Sequence, residues 1–177
     1  MIYRNGNTSD PQKKTVTIKK AASSASSTYS KVTAITSGAE YLFCEPTNSK
    51  VVSGYASNHL STTAVTISGG TTVTGNVTID TYPLVITQLT GSDSGYYSIK
   101  LGTKFIGYNS STNFKQGDTV ENDSYKWSIT FDGDRAIIAN KGTPARKIAS
   151  NNGVTDFRPY STITSGTNYY PVLFKKN

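Results

Sequence analysis

The sequence has little of what catalysis and disulfide chemistry require. It contains one cysteine, one histidine and one methionine among 177 residues, and charged residues make up 16%. A disulfide within the chain is impossible, and Cys44, in an apolar run, is expected to be a buried, unreactive thiol. The patterns G-x-S-x-G, HExxH and CxxC are absent, and His59 lies in a turn-like stretch. These absences predict a protein that is not an enzyme and has no cofactor; a hydrolase with an unrecognised site is the weaker alternative.

Long apolar runs are also missing. No stretch approaches the roughly 20 apolar residues of a membrane span, so none is predicted. Residues 1–14 have no apolar signal-peptide core, so no secretory leader is expected in this sequence. An oxygen-rich stretch at 118–123 does not have the spacing of an EF-hand loop, and we predict no metal site.

What is abundant is β-branched, aromatic and turn-forming. Thr, Ser, Tyr, Val, Ile, Gly and Asn dominate, while the good helix formers Leu, Met and Glu are scarce. Short apolar runs alternate with turn signals such as 68–70, 91–95 and 132–134, and no amphipathic helix is evident. The predicted strands are Lys31–Ile35, Tyr41–Cys44, Lys50–Val52, Ala64–Ile67, Val73–Ile79, Leu84–Leu89, Tyr96–Ile99, Lys104–Gly107, Lys126–Phe131, Ala136–Ala139, Arg146–Ala149 and Pro171–Phe174.

An internal repeat organises these strands. Three segments, 40–58, 95–113 and 134–153, each contain an apolar strand, a polar turn and a basic residue that leads a second short strand. A further strand closes each unit, and these closing strands start about 43–45 residues apart. We therefore predict an all-β, β-trefoil-like closed barrel with three hairpin repeats, in which the last strand pairs beside the first. A β-sandwich with accidentally similar hairpins is the alternative.

The N-terminal segment differs from the rest. Residues 1–30 carry five basic residues against Asp10, a net charge of +4, and residues 19–28 are low-complexity. We interpret residues 1–28 as an extended basic arm and residues 29–177 as one barrel domain. The arm is predicted to join a large assembly by adding a strand to a partner. The arm residues assigned to this contact are Lys13, Lys14, Val16, Ile18, Lys19 and Lys20.

From Gly95 onward the amino-acid sequence resembles that of a known module. The matching stretches are Gly95-Tyr96-Tyr97-Ser98-Ile99-Lys100, Lys104-Phe105-Ile106, Trp127-Ser128-Ile129-Thr130-Phe131-Asp132-Gly133, Arg146–Asn151, Phe157-Arg158-Pro159-Tyr160 and Leu173-Phe174-Lys175. The sequence resembles C-terminal modules of Bacteroidota surface proteins, and similar modules occur on virions of their bacteriophages. Tyr29–Thr33 and Gly38–Phe43 resemble the first strands of that module. The resemblance implies a non-catalytic binding or adhesion domain.

Tyrosine and amide residues near the hairpins are the candidate ligand contacts. An aromatic face can lie against sugar C–H groups while amides or carboxylates hydrogen-bond to the hydroxyls. Trp127, between apolar neighbours, is expected in the core. The Gln-x-Trp signature of ricin-type trefoils is absent, since Tyr125-Lys126-Trp127 stands there. No nucleic-acid motif is present, so specific nucleic-acid binding is not expected. The candidate glycan-binding residues are Tyr55, Tyr108, Asn109, Asn151, Arg158 and Tyr160.

Together these features predict a non-enzymatic display protein. The arm would anchor it to an assembly of the phage capsid decoration or head-fibre type, at the virion surface, and the barrel would present glycan-binding residues. The alternative is a carbohydrate-binding or adhesion module of a bacterial cell-surface or secreted protein. The sequence is compatible with a homo-oligomer and names neither the receptor nor the assembly.

Overall fold

The structure is a computed structural model that describes residues 26–45, 47–151 and 156–177. Nearly all of its regular structure is β, with one short helix and two 3₁₀ turns, Gly91–Asp93 and Asp123–Tyr125. In chain order the elements are β1 Thr28–Val32, β2 Ala39–Glu45, β3 Lys50–Ala56, β4 His59–Ala64, β5 Ile67–Ser68, β6 Thr72–Thr74, α1 Val77–Thr81, β7 Leu84–Gln88, β8 Tyr97–Leu101, β9 Lys104–Ser110, β10 Asn113–Gly117, β11 Trp127–Asp132, β12 Arg135–Asn140, β13 Lys147–Asn151, β14 Asp156–Tyr160, β15 Asn168–Tyr169 and β16 Val172–Lys176.

Three four-stranded units repeat along the chain, as the sequence predicts. Unit 1 contains β2, β3, β4 and β7, unit 2 contains β8 to β11, and unit 3 contains β12, β13, β14 and β16. The middle two strands of each unit form an antiparallel hairpin. We call β3–β4, β9–β10 and β13–β14 the first, second and third hairpins. The basic residue that leads the second strand of each repeat is Lys50, Lys104 or Lys147, and each of these lysines begins one of the hairpins.

The first and last strands of each unit pair in a ring. Strand β2 pairs with β7, β7 with β8, β8 with β11, β11 with β12, β12 with β16, and β16 again with β2. Two of these contacts are short, through Tyr97 opposite Trp127 and through Arg135 opposite Val172. Because the strand pairing returns to its starting strand, these six strands form a closed barrel and not a sandwich. The three hairpins cap this barrel.

The core fills the barrel and extends beneath one insertion. Trp127 is fully buried, as predicted, and its indole N–H donates to the carbonyl of Ile106 at 2.9 Å. Strand β2 is buried on both faces, since Tyr41 and Phe43 face the main core and the alternate residues face a second cluster. That second cluster lies under β5, β6 and α1, which the chain inserts between β4 and β7. Cys44 belongs to it, and burial raises the pKa of its thiol to about 12.

Several details differ from the sequence prediction. The predicted strand Ala64–Ile67 falls across the break between β4 and β5, and β10 and β14 were not predicted. The predicted strand Val73–Ile79 divides into β6 and α1, because the Asn76 side chain accepts a hydrogen bond from the Ile79 amide at 3.1 Å and caps a helical turn. Strand β1 begins at Thr28, the last residue assigned to the arm, and pairs with β16 as predicted. Residue Ser27 is also tied to the barrel, since its amide donates to Asp80 at 3.4 Å.

Candidate functional site

A cavity of about 320 Å³ opens between the first hairpin and the start of the second. Both hairpins contribute backbone and side chains, and the chain segment before β7 supplies one wall. The cavity is lined by Gly54, Tyr55, Ser61, Tyr82, Leu101, Gly102, Thr103, Lys104 and Gln116. We call this set the hairpin pocket. Its combination of an aromatic wall and several hydrogen-bonding side chains is the kind of lining that orients a small polar ligand.

Tyr82 gives the pocket its exposed ring. Its side chain is 46% exposed, and it is the one large apolar side chain that is exposed in the described ranges. The β8–β9 turn approaches this ring closely, since a Cβ built on Gly102 would lie 3.9 Å from it. Gly102 has a φ of +58°, in the left-handed region that glycine tolerates best. The tight glycine turn therefore leaves the ring accessible at the mouth of the pocket.

The corresponding tyrosine of unit 2 is buried instead. Tyr125 precedes β11 as Tyr82 precedes β7, and its ring packs on Gly107 and Gly117 of the second hairpin. A Cβ on Gly107 would lie 2.6 Å from the Tyr125 ring, which shows that the ring occupies the space above this glycine. The pseudo-equivalent tyrosines thus differ, with one filling its hairpin and the other leaving a pocket.

Tyr55 forms a fixed part of the pocket lining. Its hydroxyl donates to the carbonyl of Phe114 at 3.0 Å, which ties the first hairpin to the second. Burial raises the pKa of this hydroxyl, with a smaller contribution from Tyr125. Because the hydroxyl already has a partner, Tyr55 offers a ligand mainly its ring surface.

The remaining pocket side chains supply donors and acceptors. The Lys104 ammonium pairs with Asp118 at 2.6 Å, so the pocket is close to neutral on this side. Gln116 is exposed, and Ser61 Oγ lies where a Cβ on Gly54 would approach within 3.0 Å. These groups were not predicted as site residues from the sequence. Tyr82 could have been found by aligning the units, because Tyr82, Tyr125 and Tyr170 each stand two residues before a closing strand.

The other predicted glycan contacts lie outside the pocket. Tyr108 lies under the Arg146 guanidinium, 5.5 Å from the ring centroid, and Asn109 beside it is exposed. Asn151, Arg158 and Tyr160 lie together on one face of the third hairpin. The structure therefore places the six predicted residues in three separate locations, of which the hairpin pocket holds Tyr55.

A polar cluster joins the three hairpins at equivalent positions. His59, Asn113 and Asp156 are the first residues of β4, β10 and β14. The His59 ring lies 3.2 Å from Asn113 Oδ1 through Nε2 and 3.4 Å from Asp156 Oδ2 through Nδ1. Arg158 donates two hydrogen bonds to the same Asp156, at 2.8 and 3.0 Å. This arrangement holds hairpins together, and both ring nitrogens of His59 already have partners.

The oxygen-rich stretch at 118–123 pairs with lysines. Asp118 binds Lys104, while Asp123 shares Lys126 and Lys141 with Asp93 at 2.7–3.0 Å. These lysines hold the pKa values of Asp93 and Asp123 below their usual range, by hydrogen bonding first and charge second. Within the described part of the chain, no group of three or more His, Cys, Asp or Glu residues is arranged to hold a metal ion.

Two further sequence predictions concern the arm and membrane spans. The arm residues Lys13, Lys14, Val16, Ile18, Lys19 and Lys20 lie outside the described residues, so the arm contact stays a prediction. None of the helices in the ranges that the structure describes is long and apolar enough to cross a membrane.

Comparison with known proteins gives the fold its name. No family model and no curated protein matches the chain. SeviL, in its structure bound to the asialo-GM1 saccharide, aligns with a TM-score of 0.52 and 17% identity, over 78% of this chain and 98% of SeviL. The designed threefold-symmetric protein ThreeFoil aligns with a TM-score of 0.50 and 15% identity, over 75% and 97%.

The fold is a β-trefoil. The prediction made from the repeat is confirmed, and both neighbours span nearly their whole length on this trefoil. At these identities the likeness shows the fold alone, and function has to be argued from the site. The sequence motifs suggest an origin in Bacteroidota or their phages, and this origin stays a prediction.

Proposed function

We propose that this trefoil is a non-enzymatic carbohydrate-binding module whose hairpin pocket holds a neutral sugar residue. The observation that carries the proposal is Tyr82, an exposed aromatic ring at the edge of a cavity that also holds Lys104, Gln116 and Ser61. Elsewhere the described large apolar side chains are at least partly buried. The ring is 46% exposed and shares one cavity with hydrogen-bonding side chains, and this combination favours a ligand-contact role.

The chemistry of the pocket suits a sugar ring. The flat face of Tyr82 can cover the C–H face of a pyranose, while Gln116 both donates to and accepts from hydroxyls. Lys104 and Asp118 form a donor and acceptor pair 2.6 Å apart that neutralises itself. A pocket without net charge at this point favours hydroxyls over a carboxylate or sulfate. The saccharide-bound state of SeviL, a protein of the same fold, supports this proposal by analogy only.

Glycan binding can be tested with two substitutions at one position. The full-length protein would be screened on an array of neutral and acidic glycans, and the best neutral ligand measured by calorimetry. Tyr82→Ala removes the exposed ring and is expected to weaken binding by about tenfold, while Tyr82→Phe keeps the ring and most of the affinity.

Thr130→Ala, at an exposed position of β11, is the matched control and should bind as the parent does. Equal affinity of Tyr82→Ala and the parent protein would contradict the assignment of this pocket. Glycan hydrolysis that is lost in His59→Ala would contradict the non-enzymatic assignment.

We also propose that the basic arm attaches the trefoil to a larger assembly, such as a phage capsid or head fibre, at the virion surface. This second proposal rests on the net charge of +4 in residues 1–30 and on the strand-like alternation of Val16 and Ile18. It would make the trefoil the displayed part of the chain and the arm its anchor. Deletion of the arm, followed by a measurement of incorporation into the assembly, tests this proposal.

A further inference from the structure

The three lysines that begin the hairpins have different partners. Lys104, in the second hairpin, pairs with Asp118. Lys50, in the first hairpin, stands opposite Ala64 in the β3–β4 ladder and opposite Glu45 in the β2–β3 ladder. Lys147, in the third hairpin, stands opposite Tyr160 in the β13–β14 ladder. Lys104 thus binds a carboxylate, Lys50 has a carboxylate opposite it in the neighbouring ladder, and Lys147 stands opposite an aromatic ring.

Four polar or aromatic side chains share a face of the third hairpin. Residues directly opposite in an antiparallel ladder project to the same side, so Lys147 with Tyr160 and Ala149 with Arg158 share one face. Asn151 follows Ala149 by two residues and so lies on that face, where its side chain hydrogen-bonds Tyr160. We call Lys147, Asn151, Arg158 and Tyr160 the third-hairpin face.

The charge on this face is net positive. Arg158 donates two hydrogen bonds to the Asp156 carboxylate, and the pair has no net charge. Lys147 forms no ion pair with any residue that the structure describes. Its neighbour Arg146 likewise has no carboxylate partner in those ranges, and its guanidinium lies over Tyr108 and donates to the Pro159 carbonyl at 3.5 Å. Lys147 therefore leaves one uncompensated positive charge on this face.

The same positions in the other hairpins lack this combination. Opposite the repeated lysine, the first hairpin has Ala64 and the second has Asp118 in place of Tyr160. Among the described residues, the third hairpin is the one that joins a lysine without an ion pair to a tyrosine, an arginine and an amide on one face. Its residues include three of the six glycan contacts predicted from the sequence.

We propose that the third-hairpin face is a second saccharide site, selective for a sugar that carries a carboxylate or a sulfate group. Lys147 binds the anionic group, Tyr160 covers the sugar ring, and Asn151 binds a hydroxyl. Arg158 remains with Asp156 and fixes the floor of the site. The inference rests on the proposed carbohydrate binding but uses residues separate from the hairpin pocket, so the two can fail independently.

The test compares matched neutral and acidic ligands. Lactose, 3′-sialyllactose and 6′-sulfolactose would be titrated into the full-length protein by calorimetry at 150 mM salt. The acidic ligands are expected to bind about tenfold more tightly than lactose, in line with one charge-assisted hydrogen bond. The two acidic probes separate a carboxylate preference from a sulfate preference.

Substitutions then locate the preference. Lys147→Ala should reduce the acidic-to-neutral ratio to about one without weakening lactose, and Tyr160→Ala should weaken the acidic ligands. Lys50→Ala, at the equivalent lysine of the first hairpin, should change nothing. An equal effect of Lys50→Ala and Lys147→Ala would reveal non-specific attraction to a basic protein and overturn the proposal. Equal affinity of the parent protein for all three ligands, or a preference that survives Lys147→Ala, would overturn it as well.

Discussion

Gly107 shows how a missing side chain lets an aromatic ring fill a hairpin. Its missing side chain lets the Tyr125 ring lie on the second hairpin, where a Cβ would approach two ring carbons at 2.6 and 2.8 Å. The ring in turn lies beneath the Lys115 ammonium, 4.9 Å from its centroid. The glycine is therefore needed for a close approach of side chain to backbone, and not for a turn.

Replacing this glycine should cost stability. Gly107→Ala forces the buried Tyr125 ring to move and is expected to lower the free energy of unfolding by about 1–3 kcal/mol, as overpacking does elsewhere. Gly95→Ala is the control, because a Cβ there would meet nothing within 4 Å. Urea denaturation followed by tryptophan fluorescence measures both variants. Equal stability of Gly107→Ala and the parent would show that Tyr125 does not need this contact.

The burial of Cys44 predicts how its thiol reacts. Its thiol is buried in the cluster beneath α1, and burial raises its pKa to about 12, with a smaller contribution from Glu45. Since the thiolate is the reactive form, the native protein should not react with a disulfide exchange reagent at pH 8. The same thiol should react completely in denaturant. Rapid labelling of the native protein would show that the insertion opens.

Residues of the core could be predicted well from the sequence, because their apolar neighbours indicate burial. Residues exposed at the surface could be predicted less well. Trp127 and Cys44 are expected in the core from their apolar neighbours, and both are buried. Aligning the units marks Tyr82 as the counterpart of Tyr125 and Tyr170, but the alignment does not tell which of these rings is buried and which is exposed. Whether such a ring packs or projects depends on the facing glycines, which only the three-dimensional structure brings together.

At the scale of elements, the second strand of each hairpin escaped the sequence analysis. Strands β4, β10 and β14 are short and polar, and each carries one large apolar residue in its first two positions, Leu60, Phe114 and Phe157. One large buried side chain per strand leaves little alternation to detect, and the second buried residue of β14 is a proline, Pro159. The first strands of the hairpins have longer apolar runs and were found.

The four-charge cluster above the barrel predicts a pH dependence. Lys126 and Lys141 lower the pKa values of Asp93 and Asp123 from an ordinary value of 3.8. The folded state therefore binds protons less readily than the unfolded chain, so the stabilisation is present at neutral pH and is lost as pH falls below about 4.

Asp93→Asn removes part of this cluster and tests the sign. The variant should unfold at a lower temperature than the parent at pH 7, and the difference should shrink between pH 4 and pH 2. High salt should also reduce the difference at pH 7, because these charges are near the surface. A difference that grows as the pH falls would contradict the direction of the pKa shifts.

For the whole molecule, the spacing of the closing strands was enough to predict the architecture. Strands that recur at a constant interval imply equal units, and three equal units close one barrel. The insertion of β5, β6 and α1 was not predicted as a separate covering layer. Its apolar residues read as one more strand, since Asn76 and the helical turn that it caps are a local feature within an otherwise β-like segment.

The arm is tested by truncation at this scale. Deletion of residues 1–25 retains Ser27 and Thr28, whose backbone groups bind Asp80, Gly75 and Asn177. The truncated trefoil should keep the urea midpoint of the full chain, whereas the full chain but not the truncated one should sediment with large assemblies from the producing cells. Charge reversal of Lys13 and Lys14 to Glu should weaken attachment in part. Unchanged incorporation of the truncated chain would remove the basis for the display proposal.

The most direct measurement of the central claim is an NMR titration of the ¹⁵N-labelled protein with the neutral glycan that binds best on the array. Carbohydrate binding in the hairpin pocket predicts shifts concentrated at the amides of Gly102, Lys104 and Gln116 and abolished by Tyr82→Ala. Shifts confined to other surfaces, or no neutral glycan that produces any, would contradict it.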